Sequence, residues 1–260
     1  MKRIVAVFIA VLLLIGILIV NAADKSIVKI PDPQEYQITL TDGLILHTWM
    51  YPSIGTKPAP LMLLLPMMAH THTSYEPFID ALYQRAHSDS TYRVPAIMSF
   101  DLRGHGLSTD AGKKKYSYDS MTKAEFTMIP VDIEQALAFI LADSTHKLNG
   151  KDITVIGASI GANSAIMTTR LTAGITKVVM LSPGENYRDL APGESVKQFE
   201  GPILVFAGAE DTYSAESSRK LAEFNPTHSR LMVFEGPDHG TDIINNSDKA
   251  MQSLVDWLSE

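Results

Sequence analysis

The segment Gly157-Ala158-Ser159-Ile160-Gly161 follows a short apolar run, Ile153-Thr154-Val155-Ile156, and precedes a stretch of small residues with helical character. A strand-to-helix turn at this point would present a nucleophilic serine. Glycine on both sides lets the backbone turn tightly and lets strand and helix pack closely around a strained central residue, leaving its hydroxyl at the tip. The same five residues also suit a Gly-rich corner with an incidental serine. Ser159 therefore needs partners, a base to take its proton and a carboxylate to orient that base. Other chemistries have less behind them. His70 and His72, at alternate positions, invite a metal site, but the chain has no His-Glu-x-x-His, no cysteine and no nearby carboxylate other than Glu76. They are expected at a pocket mouth or facing solvent. No GxGxxG turn and no P-loop supports a nucleotide, so neither a cofactor nor a metal is expected.

From Asp24 onward, apolar runs rich in Val, Ile and Leu alternate with longer amphipathic segments, the pattern of a mostly parallel sheet covered by helices. Eight strands are predicted. Tyr36–Thr41 and Leu44–Tyr51, joined by Asp42-Gly43, read as an antiparallel hairpin at one edge. Leu61–Leu65, Ala96–Phe100, Ile153–Ile156, Lys177–Leu181, Ile203–Ala207 and Arg230–Phe234 are short and nearly continuous in apolar content, as strands buried on both faces are. Helices are expected over Tyr75–His87, Pro130–Ala142, Ile160–Leu171, Ser214–Glu223 and Thr241–Leu258. Ser74, Ser214 and Thr241 are candidate N-caps, and Pro130 suits a first helical turn. Lys113-Lys114-Lys115 reads as a solvated loop, and Met62, Met67 and Met68 as core or acyl-pocket lining with core favoured.

A chain of 260 residues is long enough for one α/β domain with a full core. Behind Lys2 and Arg3, the run Ile4–Val20 is unbroken and apolar, and Asn21-Ala22-Ala23 follows, so residues 1–23 have the three regions of an export signal, with a plausible cut after Ala22. The run is 17 residues long, above the usual range of about 7–15 for a signal and just short of the ~20 that span a bilayer. An uncleaved anchor is the alternative. Either way residues 24–260 are expected beyond the membrane, periplasmic or secreted, with membrane contact only through the N-terminal segment. The first 23 residues hold two of the 22 basic and none of the 29 acidic residues, which leaves the remainder at −9. Such a body has no electrostatic reason to seek nucleic acid. The absence of cysteine excludes disulfides, a thiolate metal site and a cysteine nucleophile.

With a serine turn after the fifth strand and a helix following at once, the chain from about Tyr36 to the C-terminus resembles the α/β-hydrolase family, an eight-stranded mostly parallel sheet with helices on both faces. Asp101-Leu102-Arg103-Gly104-His105-Gly106-Leu107-Ser108 is similar to the family's Asp-x-Arg-Gly-x-Gly-x-Ser loop, whose role is architectural, so His105 is not expected to be catalytic. The resemblance implies a triad in the order serine, acid, histidine. Gly208-Ala209-Glu210-Asp211 looks like the acid loop and makes Asp211 the expected acid, with Glu210 and Glu185 as rivals; Asp238-His239-Gly240 looks like the histidine loop and makes His239 the base. The N–H of Ile160 is one oxyanion donor by construction of the turn. The other, by alignment, is that of Met68, with Met67 second. Here the chain departs from the family, which usually has His-Gly where Pro66-Met67 stand.

Many members of the family insert a lid after the sixth strand, whereas only about twenty residues separate Leu181 from Ile203, room for a short helix around Asn186–Leu190. The implied activity is a serine hydrolase cleaving carboxylic esters of small or exposed acyl substrates through an acyl-enzyme. A peptidase, amidase or thioesterase would use the same triad. A binding protein that keeps the fold without turnover is a further alternative, which the altered Pro66-Met67 loop supports and the retention of all three triad residue types opposes.

Overall fold

Leu61, Leu63 and Leu65 face one side of a central strand while Met62 and Leu64 face the other, and this two-residue alternation divides the core into two layers. In the computed structural model, which describes residues 30–55 and 57–260, eight strands form one sheet. They are β1 (Gln34–Thr39), β2 (Ile45–Tyr51), β3 (Ala59–Leu65), β4 (Ala96–Phe100), β7 (Leu148–Ala158), β8 (Ile175–Leu181), β9 (Ile203–Gly208) and β10 (Ser229–Phe234), in the order β1-β2-β4-β3-β7-β8-β9-β10. β2 pairs antiparallel with β1 and β4, and every other pair is parallel. The expected edge hairpin and parallel body are both present. The N-terminal segment 1–23 lies outside the described residues, among which no helix is long and apolar enough to cross a membrane.

Helices cover both faces. On one, α3 (Ile129–Ala142) and α4 (Ile160–Thr168) bury Ile133, Leu137, Ala162 and Ile166 against Leu63 and Val155; on the other, α1 (Glu76–Ser88) and α8 (Asp248–Leu258) bury Phe78, Leu82, Leu254 and Trp257 against Leu64 and Ile156. Each fully buried Leu or Phe contributes about 1.5–3 kcal/mol. The remaining helices are short, α2 (Lys123–Phe126), α5 (Gly193–Gln198) and α7 (Asp242–Asn245), apart from α6 (Thr212–Phe224).

Several local expectations are corrected. The run Thr241–Leu258 is two helices, because the chain leaves helical geometry at Ser247, whose hydroxyl accepts from the Ala250 N–H and starts α8 afresh. Thr241 does precede α7, but its side chain makes no capping bond. Ser74 lies in a 3-10 turn, His72–Tyr75, and donates to the Thr71 carbonyl; Tyr75 occupies the N-cap position of α1. The Lys113–Lys115 loop contains a small hairpin, β5 (Asp110–Ala111) with β6 (Lys114–Lys115). Asn186–Leu190 is a tight turn, and the short helix comes later, as α5.

Candidate active site

The turn at Ser159 is a tightly constrained point of the backbone. Ser159 adopts φ 53° and ψ −115° between β7 and α4, a conformation that costs a non-glycine residue about 1–3 kcal/mol and persists only where the surroundings enforce it. They do so on three sides. The Ser159 N–H donates to the Leu181 carbonyl at 2.8 Å. A Cβ on Gly157 would stand 2.1 Å from the Gly161 carbonyl oxygen, and one on Gly161 would stand 2.4 Å from that of Leu65. Both glycines are therefore required by close backbone approach, and Gly161 brings the start of α4 against the loop after β3. Ser159 is 7% exposed.

His239 and Asp211 meet at the carboxyl edge of the sheet. The His239 Nδ1–H donates to Asp211 Oδ2 at 2.6 Å, so that in the neutral imidazole Nε2 is the nitrogen that can act as a base. Asp211 stands at the N-cap position of α6 but makes no capping bond, because its carboxylate is turned to the imidazole. Ser214, expected as that cap, lies inside the first turn. Its Oγ is 3.3 Å from His239 Nδ1. The histidine loop is brought to the serine turn by Gly240, whose N–H donates to Ser182 Oγ and whose Cβ position is 3.3 Å from Ala158 Cβ. The rival acids lie elsewhere: Glu185 pairs with Lys220 at 2.7 Å on the surface, and Glu210 is exposed.

The loop after β3 keeps its shape without the expected glycine. Its left-handed residue is Ala69, at φ 64°, with the His70 N–H closing a four-residue turn onto the Met67 carbonyl, so neither Met67 nor Met68 needs a positive φ. Met67 is buried, with its sulfur against Gly240, whereas Met68 is partly exposed. The far end of the loop is anchored by His72, whose N–H and Nδ1–H both donate to Asp101 Oδ1 at 2.9 Å and whose ring stacks on Trp49 at 3.3 Å. His72 is thus a clamp, not a solvent-facing side chain, while His70 is exposed as expected. Burial opposes ionisation of Asp101, but the bonds from His72 and from the Leu107 N–H outweigh it and hold the carboxyl below its ordinary pKa. His105 is buried, stacked on Tyr118, with Nδ1–H donating to the Arg103 carbonyl. Among the described residues no group of three His, Cys, Asp or Glu could hold a metal ion.

Residues that the sequence did not single out complete the site. Ser182 to Leu190, the segment after β8, is pinned by Asn163 of α4, whose Nδ2 donates to the carbonyls of Gly184 and Leu190 and whose Oδ1 accepts from the Gly184 N–H. Its tip pairs Tyr187 with Leu190 around Arg188 and Asp189, at φ 54° and 69°. Two left-handed residues that are not glycine cost roughly 1–2 kcal/mol each. Arg188 lies over the Phe126 ring, Asp189 pairs with Lys123, and Asn186 is gripped at N–H and carbonyl by the Tyr213 hydroxyl. These contacts aim Tyr187 inward. Its hydroxyl is 2.9 Å from Ser214 Oγ and 3.5 Å from the Ser182 carbonyl, and burial raises its pKa to about 12.

No family model matches the chain, and no curated protein matches it. Solved structures do. An esterase of Pyrococcus furiosus is similar over 88% of this chain and 92% of its own, with a TM-score of 0.68 at 18% identity. Esterase 2 of Thermogutta terrifontis is similar over 89% and 95%, with a TM-score of 0.64 at 14% identity, and an esterase of Exiguobacterium antarcticum over 87% and 100%, at 0.62 and 14%. At such identities the likeness is one of architecture. Together with the strand order and the turn at Ser159, it makes the architecture of this chain the α/β-hydrolase fold.

Proposed function

We propose that the chain is a serine hydrolase that cleaves carboxylic esters through an acyl-enzyme. The observation that carries this reading is the 2.6 Å pair of His239 and Asp211, set beside the strained turn that presents Ser159. Ser159 Oγ attacks the ester carbonyl as its proton passes to His239 Nε2, and Asp211 stabilises the imidazolium. The N–H groups of Ile160 and Met68 receive the oxyanion. His239 then protonates the departing alcohol, and a water activated by the same imidazole releases the acid. Esterases among the structural neighbours support the choice of ester over amide.

Between β8 and β9 the only helix is the six-residue α5, too short for a lid. An open site suits small esters or the exposed end of a larger substrate. The apolar run Ile4–Val20 behind Lys2 and Arg3 supports export, with residues 24–260 acting outside the cytoplasm. A fluorophosphonate probe tests the chemistry: it is expected to label Ser159 in the native protein and to leave Ser159→Ala and the unfolded chain unlabelled. Absence of native labelling would turn the reading toward a binding protein. Short acyl esters are expected to turn over faster than long ones, and a steep rise with chain length would overturn the open-site reading.

A further inference from the structure

The His239 side chain is 35% exposed, against 17% for Asp211, so close packing does not by itself hold the imidazole. Its Nδ1 edge is met instead by two oxygens of one helical turn. Asp211 Oδ2 stands at 2.6 Å from the N-cap position of α6, and Ser214 Oγ at 3.3 Å from inside the first turn. The triad accounts for Asp211 and leaves Ser214 over. Ser214 is fully buried, and its hydroxyl meets that of Tyr187 at 2.9 Å, which in turn reaches the Ser182 carbonyl at 3.5 Å. Ser182 has a left-handed φ of 51° and also fastens the histidine loop, its Oγ accepting the Gly240 N–H at 2.9 Å. The Tyr187 ring fits here because residue 184 is glycine, whose Cβ position would stand 2.6 Å from it, and it lies edge-on to the imidazole at 6.4 Å.

We infer that Ser214 is a positioning residue for the His239 imidazole, its Oγ a second acceptor for Nδ1–H, and that Tyr187 holds Ser214 in that role. The inference rests on the serine-hydrolase reading above. Two facts fix the direction of the chain of bonds. At one end, Nδ1 gives its proton chiefly to the Asp211 carboxylate and has no lone pair for a Ser214 proton, so Ser214 Oγ meets it as an acceptor. At the other end a carbonyl can only accept, so Tyr187 donates to Ser182 and its oxygen is left to receive the Ser214 proton. Each hydroxyl therefore donates away from the imidazole. Without Tyr187, the Ser214 hydroxyl would be free to turn its proton toward Nδ1. That would favour the tautomer with the proton on Nε2 and take away the base. Two acceptors on one helical turn also restrict the swing that a single bond to Asp211 would allow. When His239 takes the Ser159 proton, the charge on the ring strengthens the bond from Nδ1–H to Ser214 as well as that to Asp211. Ser214 thus stabilises the transition state more than the ground state, although it touches no reacting atom.

The test uses a short-chain aryl ester and begins with Ser159→Ala. If that variant keeps its turnover, the serine-hydrolase reading fails and the role of Ser214 fails with it. If it is dead, Ser214→Ala isolates the present inference. The expected result is a fall in kcat of about three- to tenfold, the size of one net hydrogen bond. KM is expected to stay unmoved, because Ser214 acts on the imidazole and not on the substrate. Tyr187→Phe keeps the ring and removes only the hydroxyl, and a smaller fall in kcat is expected. In the Ser214→Ala background, Tyr187→Phe is expected to have no further effect on kcat, since it acts through Ser214. A lower Tm in Ser214→Ala with kcat per folded molecule unchanged would make the serine a packing residue and overturn the assignment. So would a change confined to KM, or strict additivity of the two variants in kcat.

Discussion

Asn163 and Gly184 bond each other reciprocally, the amide Nδ2 donating to the Gly184 carbonyl at 2.9 Å and the Gly184 N–H donating to Oδ1 at 3.1 Å. Because Asn163 stands one turn beyond Ser159 in α4, the serine turn and the loop that carries Tyr187 are fixed to one another through a single buried amide. Asn163→Ala leaves the Gly184 N–H and carbonyl without a partner, while the Leu190 carbonyl keeps the Tyr187 N–H, at a cost of about 1–3 kcal/mol for each unpartnered group that stays buried. Asn163→Asp is expected to be worse, since a carboxylate would face the carbonyls of Gly184 and Leu190, where Nδ2 now donates. Urea unfolding of the two variants checks the order, and an aspartate variant as stable as the alanine one would contradict it.

Asp101 and His72 link the Asp-x-Arg-Gly loop to the end of the loop after β3. Oδ1 accepts both the N–H and the Nδ1–H of His72, and Oδ2 accepts the Leu107 N–H at 2.8 Å. Asp101→Asn replaces one acceptor with a donor and is expected to cost about 1.5–3 kcal/mol, the range for hydrogen bonds to a charged group. The folded-state pKa is depressed, so this stabilisation is present above the ordinary carboxyl value and lost as pH falls through the lower folded value. The stability gap between wild type and Asp101→Asn is thus expected to narrow in acid. A gap independent of pH down to full protonation would refute the account.

The sheet was legible because strands buried on both faces must be continuously apolar, and β3, β4 and β9 are buried along nearly their whole length. The Ser159 turn was legible because only glycine fits beside it, at Gly157 and Gly161. Asp211 and His239 could be placed only through the resemblance, since spacing along a chain does not show that two loops meet. What stayed hidden shares one property. Tyr187, Asn163, Ser182 and Ser214 act through contacts between segments distant in sequence, and none belongs to a motif. Local propensity misled at Ser214, expected to cap its helix, for a related reason. A tertiary bond to His239 claimed the aspartate that would otherwise have capped its own helix, and the serine was left to a different partner.

Buried tyrosines are expected to weaken the fold in alkali. Burial raises the pKa of Tyr187 to about 12 and pushes those of Tyr75 and Tyr83 up as well. For an acid whose folded pKa lies above the unfolded value near 10, the folded state holds its proton longer. The stability from this source is complete below pH ~10 and declines as pH rises above it. Phenolate absorbance is therefore expected to lag behind free tyrosine and then rise together with loss of the fold. Smooth titration of every tyrosine near pH 10 in a folded chain would contradict this.

Arg103 is buried between Asp132 and Asp42, with Nε donating to Asp132 Oδ2 at 2.8 Å and Nη1 to Asp42 Oδ2 at 2.6 Å. Burial disfavours its charge, but the two carboxylates more than offset this and hold its pKa above the ordinary value. The pair ties the Asp-x-Arg-Gly loop to α3 and to the turn before β2. Breaking a buried pair by removing one partner costs about 3–5 kcal/mol, because the other charge remains buried. Asp132→Asn is expected to lower stability by an amount toward that range while turnover per folded molecule is retained. A loss of turnover without a fall in Tm would place Asp132 in the chemistry instead.

The acid can be tested by exchanging the rivals. Asp211 Oδ2 is 2.6 Å from His239 Nδ1, whereas Glu185 is held by Lys220 at 2.7 Å on an exposed stretch of the same loop as Tyr187. Asp211→Asn keeps the side-chain shape but turns either an amide donor or an uncharged oxygen toward Nδ1, so the imidazole loses both its favoured tautomer and the charge that stabilises its protonated form. A fall in kcat of roughly 10³–10⁴-fold is expected, the size seen when an orienting aspartate is neutralised in the serine protease triad. Glu185→Gln removes only a solvent-screened surface ion pair, and kcat is expected to stay close to wild type. Labelling by the fluorophosphonate probe separates a chemical defect from an unfolded chain, since Asp211→Asn is expected to label slowly but still at Ser159. An active Asp211→Asn beside a dead Glu185→Gln would move the acid to the loop after β8 and require that loop to swing toward His239. Asn163 and Tyr213 now hold it in place.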